Sequence, residues 1–278
     1  MLELKRITKA YETAAVVPFR CNSKIVIMSD CHRGNGSTAD NFAKNQNLFF
    51  AAITQYYNHG FTYIELGDGD ELWENDKISE IIESYDNIFW LLSKFHREGR
   101  LYMIYGNHDM IKGRDPDYGK KMSLPGIKFH EAIILQHEEL PVKLFLLHGH
   151  QADILNDTFW RLSRFLVRYL WRPLELLGIN NPLSAATNPN RKLKVERVLI
   201  KWVGMYNRCL IAGHTHRPVF PGHGEARYFN DGSCVHPRCI TALEITDDSI
   251  ALVKWSYKTR FDGTLYVGRD EVVGPEKF

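Results

Sequence analysis

The 278-residue chain is 44% hydrophobic, enough to build a sizeable core in one large domain or two small ones. Its 35 Lys and Arg face 33 Asp and Glu, so the charge balance does not point to a nucleic-acid protein, and any basic patch must be local. The five cysteines form no Cys-x-x-Cys pair, the first residues contain no continuous apolar signal segment, and no uncharged apolar run reaches the ~18 residues needed to span a bilayer, so packing cysteines and a cytoplasmic location are expected.

In chain order, short apolar runs alternate with helical stretches. A first strand is expected around "TAAVV" (13–17), followed by "KIVIM" (24–28), "FTYIEL" (61–66), "LYMIY" (101–105), "KLFLL" (143–147) and "RCLIA" (208–212). Their length and abrupt ends predict buried strands. The segments between the second, third and fourth of these carry apolar residues at helical spacing and end in glycine, giving a β-α-β-α-β order. Beyond residue 225, "ARYFN", "CITALEI" and "SIALVKWSY" predict further strands, the last two joined by a turn at "TDD". One domain over 1–278 is expected, with residues 151–205 as a mostly helical insertion.

The functional signal lies directly after five of these strands. "SDCHRG" carries Asp30 and His32, "GDGDELW" carries Asp68, "GNHD" carries Asn107 and His108, "HGH" carries His148 and His150, and "GHTH" carries His214 and His216. α/β sheets hold their ligands at the carboxyl ends of strands. One such motif alone is ordinary surface chemistry, and His59, His96, His130, His137, His223 and His236 lack this context and are expected to be surface or core residues. Five together are a different matter. Imidazole, carboxylate and amide oxygen form a mixed N/O set suited to Mn, Fe or Zn, with more ligands than one ion uses, so two divalent ions sharing a carboxylate are expected. Such a cation pair also offsets the crowding of Asp68, Asp70, Glu71 and Glu74 within nine residues.

In this order the five motifs resemble those of the calcineurin-like metallophosphoesterases. The resemblance implies an α/β four-layer sandwich, two β-sheets packed face to face and flanked by helices. Carried over residue by residue, it puts Asp30, His32 and His216 on one metal and Asn107, His148 and His214 on the other, with Asp68 bridging. Manganese is the expected metal, with Fe or Zn as alternatives. It further implies in-line attack of hydroxide on phosphorus, with His108 as the acid or clamp at the leaving group and Glu71 orienting that histidine. Asp70 and Glu74 are then expected to be solvated. The spacing Gly67-Asp68-x-x-Glu71-x-Trp73 and the "GHTHRP" of Gly213–Pro218 are similar to the UDP-2,3-diacylglucosamine hydrolases. His108 and His150 depart from that subgroup, which has arginine and an acid there. The Ser/Thr phosphatases of the superfamily, with G-D-x-V-D-R-G and G-N-H-E, match less well.

Within the insertion, Arg161, Arg164, Arg168 and Arg172 fall on one face of a helical projection, and residues 151–201 hold nine basic against four acidic side chains. Three readings stand here: a lid with solvated arginines, a face for an anionic membrane surface, and arginines that grip substrate phosphates. His150 is a candidate substrate contact or a support behind the ligands, and Arg161, Arg164 and Arg168 are candidate substrate contacts. The expected activity is hydrolysis of a phosphodiester or pyrophosphate, with a UDP-sugar lipid at the inner membrane face as the leading substrate. A soluble nucleotide or nucleic-acid diester is the alternative.

Overall fold

The structure is a computed structural model and describes residues 2–153 and 189–278, together with Phe165, Val167 and Tyr169. Two sheets lie at its centre. The larger has seven strands: β2 (Ile25–Met28), β3 (Thr62–Leu66), β4 (Leu101–Ile104) and β5 (Phe129–His130) run parallel from its middle to one edge. β10 (Cys239–Thr246), β11 (Ser249–Thr259) and β12 (Leu265–Lys277) extend it antiparallel on the other side. The smaller sheet runs β1 (Ala15–Phe19), β6 (Ala132–His137), β7 (Lys143–Leu147), β8 (Cys209–Ala212) and β9 (Tyr228–Asn230).

Side-chain alternation along the strands builds the layers. Ile25, Ile27, Ile64 and Leu66 from the larger sheet pack against Ile133, Leu135, Leu144, Leu146 and Ile211 from the smaller one. The alternate residues Val26, Met28 and Tyr63 face outward and pack beneath α2 (Gln46–Asn58) and the helix over Asp86–Arg97 through Phe49, Ile53, Leu92 and Phe95. On the far side, α1 (Leu2–Glu12) and an 18-residue helix over Pro189–Tyr206 cover the smaller sheet through Ile7, Val195, Leu199 and Trp202. The result is the expected four-layer α/β/β/α sandwich.

The strand expected near "TAAVV" exists as β1, which pairs parallel with β6 at the sheet edge. The five strands preceding the motifs belong to both sheets, with β2, β3 and β4 in the larger and β7 and β8 in the smaller. Of the stretch 151–205 expected as an insertion, most lies outside the described residues, including Arg161, Arg164 and Arg168. Its C-terminal part is the Pro189–Tyr206 helix, which packs as an outer layer on the smaller sheet. No described helix is long and apolar enough to cross a membrane.

Candidate metal centre

The hydrogen bonding between β2 and β3 continues past their ends. Asp30 N–H donates to Gly67 O at 3.1 Å and His32 N–H to Asp68 O at 2.9 Å, which carries the first two motifs side by side. Asp30, His32, Asp68, His214 and His216 all have left-handed backbone, with φ between 48° and 67°. Non-glycine residues avoid that region at a cost of order 1–3 kcal/mol each, so five together mark a site where the surrounding fold enforces side-chain direction. Glycine is required where backbones meet: a Cβ on Gly106 would lie 2.1 Å from Asp68 Oδ1, and one on Gly67 2.5 Å from His148 Nδ1.

Three groups of ligand-type atoms result among the described residues, and His32, Glu71 and His108 form one that shares His32 with the first of the two below. Asp30, His32 and His216 form the first: Asp30 Oδ1 lies 3.0 Å from His216 Nε2 and 3.6 Å from His32 Nε2. Asp68, His148 and His214 form the second, with His148 Nε2 3.1 Å from Asp68 Oδ2. The same Asp68 Oδ2 lies 3.8 Å from His32 Nε2, so this oxygen stands between the groups. Its partner Oδ1 accepts the His108 N–H at 2.8 Å, which sets the rotation of the carboxylate.

The surroundings fix which nitrogens face the centre. His148 Nδ1 donates to Leu66 O at 2.9 Å, leaving the Nε2 lone pair for the centre. Glu71 holds two histidines at once, His32 Nδ1 at 2.8 Å and His108 Nδ1 at 2.7 Å. Trp73 stacks on His108 with ring centroids 4.2 Å apart and planes at 22°.

These residues fit a cation pair. Asn107 Oδ1 and Nδ2 and His214 Nε2 are buried with no hydrogen-bond partner among the described residues, an arrangement that is unfavourable unless another ligand completes it. Burial pushes His148 down, but the Asp68 and Asp30 carboxylates outweigh it and raise the imidazole to about 9. Burial likewise opposes charge on Asp30, yet His216 and His148 hold it well below the usual carboxylate range. The cluster thus draws positive charge to itself, as a divalent ion would supply.

The acidic stretch 68–74 is balanced differently from the sequence expectation. Asp70 is not solvated but fully buried, 2.7 Å from both Arg33 Nε and Lys112 Nζ. Glu74 is half-buried. Arg33 also makes a bidentate pair with Glu65 at 2.8 and 2.9 Å, and Lys112 reaches Asp109 at 2.7 Å. Asp109 in turn accepts the N–H of Gly106 at 2.7 Å and of Gly69 at 3.1 Å, tying the "GNHD" turn to the "GDGDE" turn. Sequence reasoning missed Arg33, Lys112 and Asp109 as a unit, since Arg33 and Asp70 are 37 positions apart.

Asp153 was also missed. It pairs with Arg191 at 2.8 and 2.9 Å, and its Oδ2 lies 3.7 Å from His214 Nε2. His150, the candidate substrate contact, is buried with its ring 5.7 Å from that of His148, and burial together with His148 and His214 pushes it well below the usual imidazole range.

A family model described as calcineurin-like phosphoesterase matches residues 23–218. The chain belongs to that family. The family is dinuclear-metal dependent, so this phosphoesterase is a hydrolase of phosphoester bonds whose His/Asp groups can hold metal. No curated protein matches the phosphoesterase. Among solved structures, vacuolar protein sorting 29 from Cryptosporidium parvum is similar at 14% identity, over 91% of this chain and 98% of that one, with a TM-score of 0.41. The same protein from Chaetomium thermophilum is similar at 13% identity over 90% and 95%, with a TM-score of 0.42. A mutant cold-active protein tyrosine phosphatase is similar at 14% identity over 91% and 83%, with a TM-score of 0.41.

Proposed function

We propose that this phosphoesterase hydrolyses a phosphodiester or pyrophosphate bond at a two-metal centre. Asp30, His32 and His216 hold one divalent ion, Asn107, His148 and His214 hold the other, and Asp68 lies between them. The observation that carries the reading is the position of Asp68 Oδ2, 3.1 Å from a nitrogen of one group and 3.8 Å from a nitrogen of the other. Bound there, two ions supply a nucleophile at neutral pH and stabilise charge on the phosphoryl oxygens, and manganese suits the N/O donor set.

The remaining steps belong to the chain's own residues. His108 gives a proton from Nε2 to the departing oxygen, since Glu71 holds its Nδ1 and Trp73 keeps the ring plane fixed. Glu71 also orients His32, so a single carboxylate positions a ligand and the acid. Asp109 keeps the turns that carry Asp68 and Asn107 in contact through Gly69 and Gly106.

For substrate, the spacing Asp68-x-x-Glu71-x-Trp73 and the basic stretch 151–201 support a UDP-sugar lipid of the UDP-2,3-diacylglucosamine type. In that reading Arg161, Arg164 and Arg168 meet anionic groups of the substrate or of a cytoplasmic membrane face. The alternative is a soluble nucleotide diester. Phosphorus NMR of the Mn-loaded protein, with UDP-2,3-diacylglucosamine in detergent and bis(p-nitrophenyl) phosphate alongside, tests both levels. Release of UMP and the lipid monophosphate supports the lipid substrate. Cleavage of the generic diester alone removes it and keeps the two-metal reading, whereas no cleavage of either defeats the reading. Charge reversal at Arg161, Arg164 and Arg168 is expected to abolish liposome binding while sparing the generic diester; unchanged liposome binding refutes the membrane role.

A further inference from the structure

Asp30 is held from the segment that follows β9. Its backbone carbonyl accepts the Ser233 hydroxyl at 3.2 Å and the Cys234 N–H at 3.3 Å. Its carboxylate is held separately. Oδ2 accepts the His214 N–H at 2.9 Å and the hydroxyl of Ser29, while Oδ1 has no hydrogen-bond partner among the described residues and lies 3.0 Å from His216 Nε2. Two donors on Oδ2 leave Oδ1 for the centre. Ser29 has little room to move, since a Cβ on Gly213 would lie 2.3 Å from its Oγ.

Ser29 also meets Asp231, an acid that the two-metal reading does not use. Asp231 Oδ1 lies 2.8 Å from Ser29 Oγ, and the side chain is fully buried. A serine hydroxyl carries one hydrogen, yet this oxygen is within hydrogen-bond distance of two carboxyl groups. Once Ser29 gives its hydrogen to one of them, the other contact needs a hydrogen from the acid, because two bare oxygens at that distance repel. Against burial, His216 and His148 keep Asp30 ionised. The second hydrogen therefore belongs to Asp231. Its surroundings agree, since it pairs with no Lys or Arg and its Oδ2 finds no hydrogen-bond donor among the described residues. Burial, followed by the Asp30 charge, pushes this acid well above the usual carboxylate range against the pull of His148.

We propose that Asp231 is a positioning residue of the metal centre: as the neutral acid it donates to Ser29 Oγ, which fixes the Ser29 hydrogen on Asp30 Oδ2 and keeps Asp30 Oδ1 turned toward His216. A carboxylic acid supplies this donor without adding a third negative charge to those of Asp30 and Asp68. The proposal rests on the two-metal reading above and adds to it the residue that aims one ligand.

Manganese titration of the metal-free protein, followed by calorimetry and by EPR, tests it, with thermal unfolding of the metal-free protein alongside. Ser29→Ala removes the relay, Asp231→Leu keeps the side-chain volume and removes the donor, and Asp231→Asn stays neutral and still offers an N–H. Partners behind metal ligands typically carry 10–100-fold in affinity, so Ser29→Ala and Asp231→Leu are expected to weaken one of the two Mn sites by about 10-fold or more. At equal Mn, the exchange-coupled spectrum of an ion pair then gives way to that of a single ion. Asp231→Asn is expected to keep the coupled spectrum. The metal-free Tm of Asp231→Leu is expected to hold or rise, because an apolar group of similar shape replaces an acid with an unpaired oxygen, whereas a packing role would lower it. Should Asp231→Leu fail to fold, Asp231→Ala takes its place in the titration. Wild-type affinity at both sites without the Asp231 donor overturns the proposal, as does an Asp231→Asn variant as weak as Asp231→Leu, or a loss shared equally by both sites. A wild-type protein that binds fewer than two ions defeats the two-metal reading itself, and the proposal falls with it.

Discussion

Lys112→Met is the most demanding test of how the centre is held together. Lys112 is 2% exposed, lies 2.7 Å from Asp70 and from Asp109, and lies 3.8 Å from Glu65. Methionine keeps the length of the side chain and removes the charge. Arg33 then remains against Glu65 and Asp70, and buried Asp109 loses the lysine it pairs with. Removing one partner of a buried ion pair costs about 3–5 kcal/mol, because the other charge stays buried without compensation. For 278 residues the unfolding entropy is about 0.6 kcal/mol/K, so the expected fall in Tm is about 5–9 °C. Burial, with the Asp68 and Asp70 carboxylates, already pushes Asp109 up against the pull of Lys112, so Asp109 is the group that takes a proton once the lysine is gone. Asp109→Asn in the same chain removes that charge and is expected to restore part of the loss. Urea denaturation of the wild type, the single variant and the double variant measures these terms. A loss below about 1 kcal/mol for Lys112→Met, or a double variant weaker than the single one, would refute the reasoning that this lysine neutralises the acidic turn.

Other outcomes follow from the same geometry. Asp68→Ala is expected to lose metal and activity together, while His108→Ala keeps metal but slows turnover by roughly 10²–10⁴-fold, read by metal analysis beside steady-state rates; wild-type turnover of the His108 variant across leaving groups removes its role as the acid. Glu71 is held down to about 2 because His108 and His32 outweigh the effect of burial, so in metal-free protein its contribution to stability is complete above the unfolded value of 4.5 and is lost as pH falls through about 2. The stability gap between wild type and Glu71→Gln should therefore close over that range, and a gap independent of pH between 5 and 2 contradicts the pairing. Gly106→Ala drives a methyl group against Asp68 Oδ1 and its backbone nitrogen, so a loss of about 1–3 kcal/mol is expected together with weakened metal binding, both measurable by thermal unfolding with and without Mn.

The five motifs and their order were legible because each ligand lies within a few residues of the strand that presents it. A short apolar run followed by Asp, Asn or His is a local pattern, and the chain writes it five times between Asp30 and His216. The outer strand β12 was not legible. It carries Gly268, Gly274, Pro275 and five charged residues, as an exposed edge does, and it lacks the alternation that marks a strand packed on one face. α1 was equally silent, since its place is set by packing on β6 and beside the Pro189–Tyr206 helix.

By itself, then, the sequence determined the family and the Asp, Asn and His side chains that follow the strand ends. Only the tertiary structure decided that β7 and β8 meet β2, β3 and β4 from a second sheet, and that Asp68 Oδ2 faces both groups of ligands. It also decided that Glu71 serves two histidines and that Asp70 is buried between Arg33 and Lys112. The physical reason is range. Which side chain follows a strand is fixed by neighbours in the chain, but which charge neutralises a buried carboxylate depends on partners some 40 positions away that only the folded sheets bring within 3 Å.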